Sequence, residues 1–140
     1  MADEDVIRQQ VDRLTDAIRA KDREAIRRIY SADIVSFDVE PPLQRLGLAL
    51  KLENWDNLFA RYQSLEYEVR DLEITISGNI AFAHSLNRIG GAMRNGTATD
   101  HWIRCTNCFQ KIDGTWRIVH DHVSVPFEMA TGKALVNLVP

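Results

Sequence analysis

Apolar residues follow a helical period over the first part of the chain. Ile7, Val11, Leu14 and Ile18 recur at intervals of three and four residues, which predicts an amphipathic helix that ends near Ala20. The acidic residues at the start of this helix interact favourably with the positive end of the helix dipole. The chain therefore begins with a helix that buries one face and exposes the other.

Two more helices and one strand are predicted before residue 65. Asp22 is suited to cap a short helix, and residues 34–38 form a strand that Pro41 and Pro42 end. After Gly47 the helical period returns. The apolar face of this third helix is broad enough to cover a large surface, and it carries Leu48, Leu52, Trp55, Phe59 and Tyr62.

Beyond residue 65 the period changes to two, which predicts an antiparallel meander. Turn-forming residues separate the segments at 77–79, at 90–91 with 95–96, and at 113–114. Helices followed by a sheet indicate the α+β class. We expect a single domain over residues 1–140, with residues 127–140 as a tail. The strands are expected near residues 65–76, 80–90, 97–110 and 115–125.

The turn between the last two strands decides which side chains share a face. A three-residue loop at Ile112-Asp113-Gly114 pairs Thr106 with His120. A two-residue loop would slip the register by one and bring Asn107 and Cys105 beside the histidines instead. We prefer the three-residue loop. It places a group of polar and aromatic side chains on one wall of a pocket: Trp102, Arg104, Thr106, Trp116, His120 and His122.

Charge and composition exclude several functional classes. The chain has 17 basic and 20 acidic residues and a formal net charge of −3, and the charges are interspersed. No basic surface for nucleic acid is therefore expected, nor one for an anionic membrane. The start is acidic, unlike a signal peptide, and no apolar run approaches the roughly 20 residues of a membrane span. A cytoplasmic location is expected.

Cys105 and Cys108 have the C-x-x-C spacing of some zinc and redox sites. On a strand, residues three apart point to opposite faces, so the two sulfurs should diverge. The chain also has no second C-x-x-C pair. We therefore expect two reduced cysteines in a sheet rather than a metal or redox centre.

The order of the elements and several local motifs resemble the nuclear-transport-factor-like superfamily, which has a cystatin-like α+β fold and includes ketosteroid isomerase. The resemblance is closest to its SnoaL-like branch. It rests on Ala20-Lys21-Asp22, on Tyr30-Ser31-Ala32-Asp33, on Gly47 and above all on DGTWRIVHDHVS at residues 113–124. It implies a curved, mainly antiparallel sheet wrapped around the N-terminal helices to form a cone-shaped pocket. The same ending also resembles the association domain of calmodulin-dependent kinases, which oligomerises.

The resemblance implies that Asp38 occupies the position of the catalytic base of ketosteroid isomerases. A carboxylate there would take a proton from a carbon next to a carbonyl group. The structural alternative is an aspartate that accepts backbone hydrogen bonds near Pro41. The oxyanion-hole tyrosine corresponds to Leu14, and no aspartate lies near Thr106 to act as the second donor. Steroid isomerase activity is therefore not expected.

Arg104 lies in an apolar strand and would be costly to bury without an acidic partner or ligand. We expect it to clamp a carboxylate or an enolate oxygen, with Asp38 or His122 as the base. The alternative is an internal salt bridge to Asp38 or Asp100. In the register predicted for the preceding hairpin, the partner opposite Arg104 is Leu86, and His84 lies opposite Thr106. The expected ligand-binding residues are Trp55, Phe59, His84, Arg88, Trp102, Thr106 and His120.

Two functional classes remain open at this stage. The first is a protein that binds a small apolar or acidic organic molecule and acts as a cofactor-free isomerase, cyclase or hydratase. The second is a non-catalytic ligand-binding or association domain. No metal is expected, because His84, His120 and His122 have no obvious acidic or soft side chain as a fourth ligand. A homodimer is expected through the outer sheet face, predicted to carry Arg117, Val119, Asp121, Val123 and Val125.

Overall fold

Three helices at the start of the chain pack on one face of a strongly paired six-stranded sheet. The structure is a computed structural model that describes residues 1–140. None of its helices is both long and apolar enough to cross a membrane. In chain order the elements are α1 Asp3–Ala20, α2 Arg23–Arg27, β1 Tyr30–Phe37, β2 Arg45–Leu46, α3 Leu48–Arg61, β3 Tyr62–Ser77, β4 Ile80–Met93, β5 Ala98–Ile112, β6 Thr115–Ser124, β7 Phe127–Glu128 and β8 Lys133–Ala134.

The sheet has the order β2-β1-β6-β5-β4-β3. All neighbours are antiparallel except β1 and β6, which run parallel. The predicted α+β class, with a mainly antiparallel sheet around N-terminal helices, is confirmed. The strands are longer than predicted: β4 runs through Gly90-Gly91, which are not a turn, and β3 starts at Tyr62 rather than near Leu65.

The predicted helix faces match the core. All four apolar positions of α1 are buried, and the side chain of Asp22 caps α2 by accepting a hydrogen bond from the Ala25 amide at 3.1 Å. The helix α1 is tied to the sheet at Trp116, which is 1% exposed. The Trp116 indole donates to the Asp3 carboxylate at 3.0 Å, and its carbonyl accepts from Gln10 at 2.7 Å.

Gly90 and Gly91 allow the middle strands to approach closely. A Cβ at Gly90 would lie 2.4 Å from the Thr99 carbonyl oxygen of β5, and one at Gly91 would lie 2.2 Å from the Ser64 oxygen of β3. Gly91 also has a φ of +126°, which residues with a side chain rarely adopt. Both positions therefore require glycine.

The β5–β6 turn has two residues, so the preferred three-residue loop was wrong. Asp113 and Gly114 have φ values of 50° and 80°, the pattern of a type I′ hairpin turn, and Ile112 pairs with Thr115. The register then shifts once more at a bulge, where β6 has an extra residue opposite Cys108. The pairs that result are Thr106 with His122, Arg104 with Ser124 and Cys108 with His120.

The bulge also reverses which side chains of β6 face inward. Trp116 and Ile118 point into the core before it, whereas Asp121 and Val123 face the helices after it. The opposing strand β5 presents its odd-numbered residues to the inside. The predicted pocket wall therefore lies on the outer face of the sheet, with the exception of Trp116. The register predicted between β4 and β5, with His84 opposite Thr106 and Leu86 opposite Arg104, is confirmed.

Candidate functional site

A cavity of ≈ 350 Å³ lies between the helices and the inner face of the sheet. This volume is at the lower end of the range for small-molecule pockets. Its walls are mainly apolar, and they include Leu14, Trp55, Leu58, Val69, Ile89 and Ile103. Such walls favour an organic ligand that is largely apolar.

Lys51 forms the centre of a buried ion cluster beside this cavity. Its side chain is 2% exposed, and its ammonium group lies 2.7 Å from Asp38 Oδ1 and 2.9 Å from Asp121 Oδ2. The third partner is the hydroxyl oxygen of Ser36 at 3.0 Å, and that hydroxyl donates to the other oxygen of Asp121. All three ammonium protons are therefore used within the protein.

Arg45 completes the charge balance of the cluster. Its guanidinium Nε lies 3.5 Å from Asp38 Oδ2, and its other nitrogens donate to the carbonyl oxygens of Leu50 at 3.0 Å and Pro41 at 3.3 Å. Two buried cations thus face two buried carboxylates, Asp38 and Asp121. The alternative of backbone hydrogen bonds for Asp38 was wrong, because its carboxylate pairs with side-chain cations instead.

The charge of Lys51 is fixed by this environment. Burial by itself lowers the pKa of an ammonium group, but interactions with Tyr30, Asp121 and Asp38 outweigh burial and raise the pKa of Lys51 above its usual value. Lys51 is therefore a cation and not a nucleophile at neutral pH. A signal for it was present in the sequence, because Lys51 follows Leu48 by three residues and precedes Trp55 by four on the apolar face of α3.

Two tyrosine hydroxyl groups also line the cavity. Tyr30 accepts a hydrogen bond from the indole of Trp55 at 3.1 Å, and Tyr67 accepts one from the amide of Asn87 at 2.7 Å. The Asn87 carbonyl oxygen in turn accepts from Ser85 at 2.7 Å. Burial raises the pKa of both tyrosines, so both hydroxyls keep their protons.

The two cysteines lie on opposite faces of β5, as predicted. Cys105 lines the cavity and Cys108 does not, and neither forms a disulfide. Burial raises the pKa of the Cys105 thiol to about 12, so it remains protonated at neutral pH. The Cys105 thiol lies 3.7 Å from the side-chain oxygen of Asn107, which also faces the cavity.

Of the predicted site residues, Asp38 and Trp55 line the cavity. Phe59 stacks on Trp55 with ring centroids 5.9 Å apart, and so it supports the wall from behind. Arg104 is exposed on the outer face, where its Nε donates to Ser124 at 3.2 Å. It meets neither the cavity nor Asp38 or Asp100, so the structure supports neither the predicted pocket position of Arg104 nor its predicted internal salt bridge.

The other predicted residues also lie on the outer face. Arg88 pairs with Asp100 at 2.6 Å, and Trp102 lies beneath Arg70 at 5.4 Å. Thr106 is flanked by its cross-strand partners His84 and His122.

The predicted histidines do not assemble into a site. His120 is bonded through Nδ1 to the Val35 carbonyl at 2.6 Å, and the rings of His120 and His122 contact the edge of Phe37. His84 is exposed two strands away. No group of three or more His, Cys, Asp or Glu side chains is placed to hold a metal ion.

The mouth of the cavity is formed by α3, the strand ends and the C-terminal tail. Arg61 and Glu40 form a two-point ion pair there, at 2.7 and 3.2 Å. After the short β7–β8 hairpin the tail returns to the mouth, where His101 Nδ1 donates to the Val136 carbonyl at 3.1 Å. Val136 itself lines the cavity. Val136 of the tail therefore contributes to the site.

This architecture matches a known family. The sequence matches the family model of the SnoaL-like domain over residues 7–128. An NTF2-like protein of unknown function from Pseudomonas putida KT2440 is 32% identical, with 96% of this chain and 94% of that chain covered and a TM-score of 0.87. The chain belongs to the SnoaL-like domain family. No curated protein sequence matches it.

More distant solved structures share the fold of this SnoaL-like domain. A type 2 hexachlorocyclohexane dehydrochlorinase (LinA) is 13% identical, with 86% of this chain and 82% of that chain covered and a TM-score of 0.76. A proposed calcium/calmodulin-dependent protein kinase II association domain from Xanthomonas campestris is 16% identical, with coverages of 88% and 87% and the same TM-score of 0.76. The fold is thus shared by a protein named as an enzyme and by one named as an association domain.

Proposed function

We propose that this SnoaL-like domain binds a small, largely apolar carbonyl compound in its cavity and catalyses a proton transfer on that compound without a cofactor. The observation that carries the proposal is an apolar cavity whose lining includes the carboxylate of Asp38. Lys51 and Arg45 compensate the charge of Asp38 beside these apolar walls. In this proposal Asp38 accepts the proton from the carbon next to the carbonyl group. This is the chemistry of an isomerase, cyclase or hydratase.

The proposal is tested by hydrogen exchange on a simple enolisable ketone. We expect the protein to accelerate exchange of the methyl protons of 2-acetylnaphthalene in D₂O, followed by NMR. Asp38→Asn should abolish the acceleration and retain most of the affinity, because an amide keeps the shape but does not accept the proton. Arg104→Met is the control and should leave exchange and affinity unchanged, because Arg104 lies on the outer face.

Two results would contradict this proposal. One is exchange in the presence of the parent protein that is no faster than in buffer, although the ketone binds. The other is an Asp38→Asn variant that folds and exchanges like the parent.

A non-catalytic association domain is the second candidate function. It is favoured by one observation: all three protons of Lys51 and one oxygen of Asp38, Oδ1, are already hydrogen-bonded within the protein, and only Asp38 Oδ2 lacks a hydrogen-bond partner. We propose a homodimer through the outer sheet face for this case. The residues predicted from the sequence for this interface do not support it, because three of them line the cavity instead: Asp121, Val123 and Val125. The support comes instead from exposed apolar residues such as Phe82, which is 47% exposed on β4.

The dimer is tested by sedimentation velocity at micromolar concentration. The parent protein should sediment as a dimer, and Phe82→Glu should shift it to the monomer because a charge at a closed interface is costly. The matched change Leu43→Glu, at a loop residue that is 96% exposed, should leave the dimer intact. A parent protein that is monomeric at these concentrations would exclude this candidate.

A further inference from the structure

Two polar groups of the cavity have a hydrogen-bond donor for which the protein provides no acceptor. The hydroxyl oxygens of Tyr30 and Tyr67 each accept one hydrogen bond, from Trp55 and Asn87. Neither hydroxyl proton has an acceptor within the protein, although both side chains are less than a tenth exposed. A buried O–H donor without a partner is costly, and a ligand oxygen would satisfy it.

Each lysine or arginine that lines the cavity is already paired with a carboxylate, and Arg45, whose Nε has no hydrogen-bond partner, is not part of the lining. Lys51 is bonded to two carboxylates and a hydroxyl, and at the mouth Arg61 is paired with Glu40. His101 uses Nδ1 to hold the Val136 carbonyl. An anionic ligand would therefore be buried next to a cluster whose charges are already balanced, without a cation of its own.

We infer that the hydroxyl groups of Tyr30 and Tyr67 recognise the oxygen of an uncharged ligand, a ketone, aldehyde or phenol, and that the cavity rejects carboxylates. This inference rests on the proposed function and names its ligand class. It differs from the sequence-based expectation, in which Arg104 would clamp an acidic group. Both donors are neutral and both are oriented by a second hydrogen bond, so they select a polar but uncharged atom. The apolar walls then hold the hydrocarbon part of the ligand.

Three probes of similar shape separate the contributions. 2-Acetylnaphthalene has a ketone oxygen, 2-ethylnaphthalene has none, and 2-naphthoate carries a negative charge. Their affinities for the parent protein and for Tyr30→Phe and Tyr67→Phe are measured by fluorescence titration. Tyr62→Phe is the matched control, because Tyr62 also lines the cavity but its hydroxyl proton has an acceptor within the protein, the hydroxyl oxygen of Thr99 at 2.5 Å.

The parent should bind the ketone more tightly than the hydrocarbon, and the carboxylate most weakly. Each of the two test variants should reduce the ketone affinity about three- to tenfold and leave the hydrocarbon affinity unchanged, as expected for a lost neutral hydrogen bond. Tyr62→Phe should change neither affinity. Because the hydrocarbon reports an intact cavity, a misfolded variant would be recognised at once.

The possible failures are distinguishable. Equal affinity for ketone and hydrocarbon in the parent, tighter binding of the carboxylate, or a uniform loss for all probes in the variants would overturn the inference. Binding of none of the three probes would overturn the proposed ligand pocket together with it. Selective ketone binding without proton exchange would support the inference and overturn only the proposed catalysis.

Discussion

Replacing Lys51 by Met should lower the free energy of unfolding by about 3–5 kcal/mol, the usual cost of breaking a buried ion pair. Methionine fills a similar volume but carries no charge. Asp38 would then keep only Arg45 as a cationic partner, and Asp121 would have none. Two carboxylates in one desolvated site repel each other and have lost their main counterion. Urea unfolding followed by circular dichroism measures the effect.

A surface lysine provides the matched control for this prediction. The control is Lys133→Met, the same change at an exposed lysine of β8, which should alter stability by no more than about 0.5 kcal/mol. A loss for Lys51→Met as small as that for Lys133→Met would show that the buried cluster does not stabilise the fold.

Replacing Gly91 by Ala should cost about 2–4 kcal/mol, because backbone strain and a steric collision add together. Its Cβ would lie 2.2 Å from the Ser64 carbonyl oxygen, and a backbone atom in a paired strand cannot move aside cheaply. The collision would separate β3 from β4 at the edge where Leu65 pairs with Gly91. Thermal unfolding and amide hydrogen exchange in β3 measure the effect.

Gly78→Ala is the matched control for this prediction. Gly78 also has a positive φ, +59°, but nothing lies within 4 Å of its Cβ position. It should lose only about 1 kcal/mol, the conformational cost of the left-handed region. If both variants lose the same amount, the close approach of β3 and β4 is not what requires glycine at residue 91.

The parts of the fold that depend on local period and capping could be predicted from the sequence. The apolar stripe of α1, the cap at Asp22 and the α+β order of elements follow from spacing and residue type alone. The β4–β5 register was also predicted correctly, with His84 opposite Thr106. These features depend on neighbouring residues or on one turn, and the sequence contains that information.

The inner face of the sheet could not be predicted in the same way. The bulge at Val119–His120 shifts the apolar residues of β6 from even positions, Trp116 and Ile118, to odd positions, Val123 and Val125, and in the sequence this shift looks the same as a strand that is apolar on both faces. The outer face of β5 also carries bulky residues such as Trp102. From the sequence, this face therefore looks more like a buried face than the inner one does. One extra residue in a strand exchanges the two faces, and so Asp121 entered the site while Arg104 left it.

The parallel pairing of β1 with β6 joins residues 30–37 to residues 118–122, and Ser36 and Asp121 are 85 residues apart in the chain. Ser36 from one strand and Asp121 from the other both hold Lys51. During synthesis, a chain that has left the ribosome only as far as β5 lacks this strand and one of the two carboxylates that compensate Lys51. We therefore expect the cavity of a nascent chain to close only after β6 has emerged, because a partner of Lys51 is missing until then.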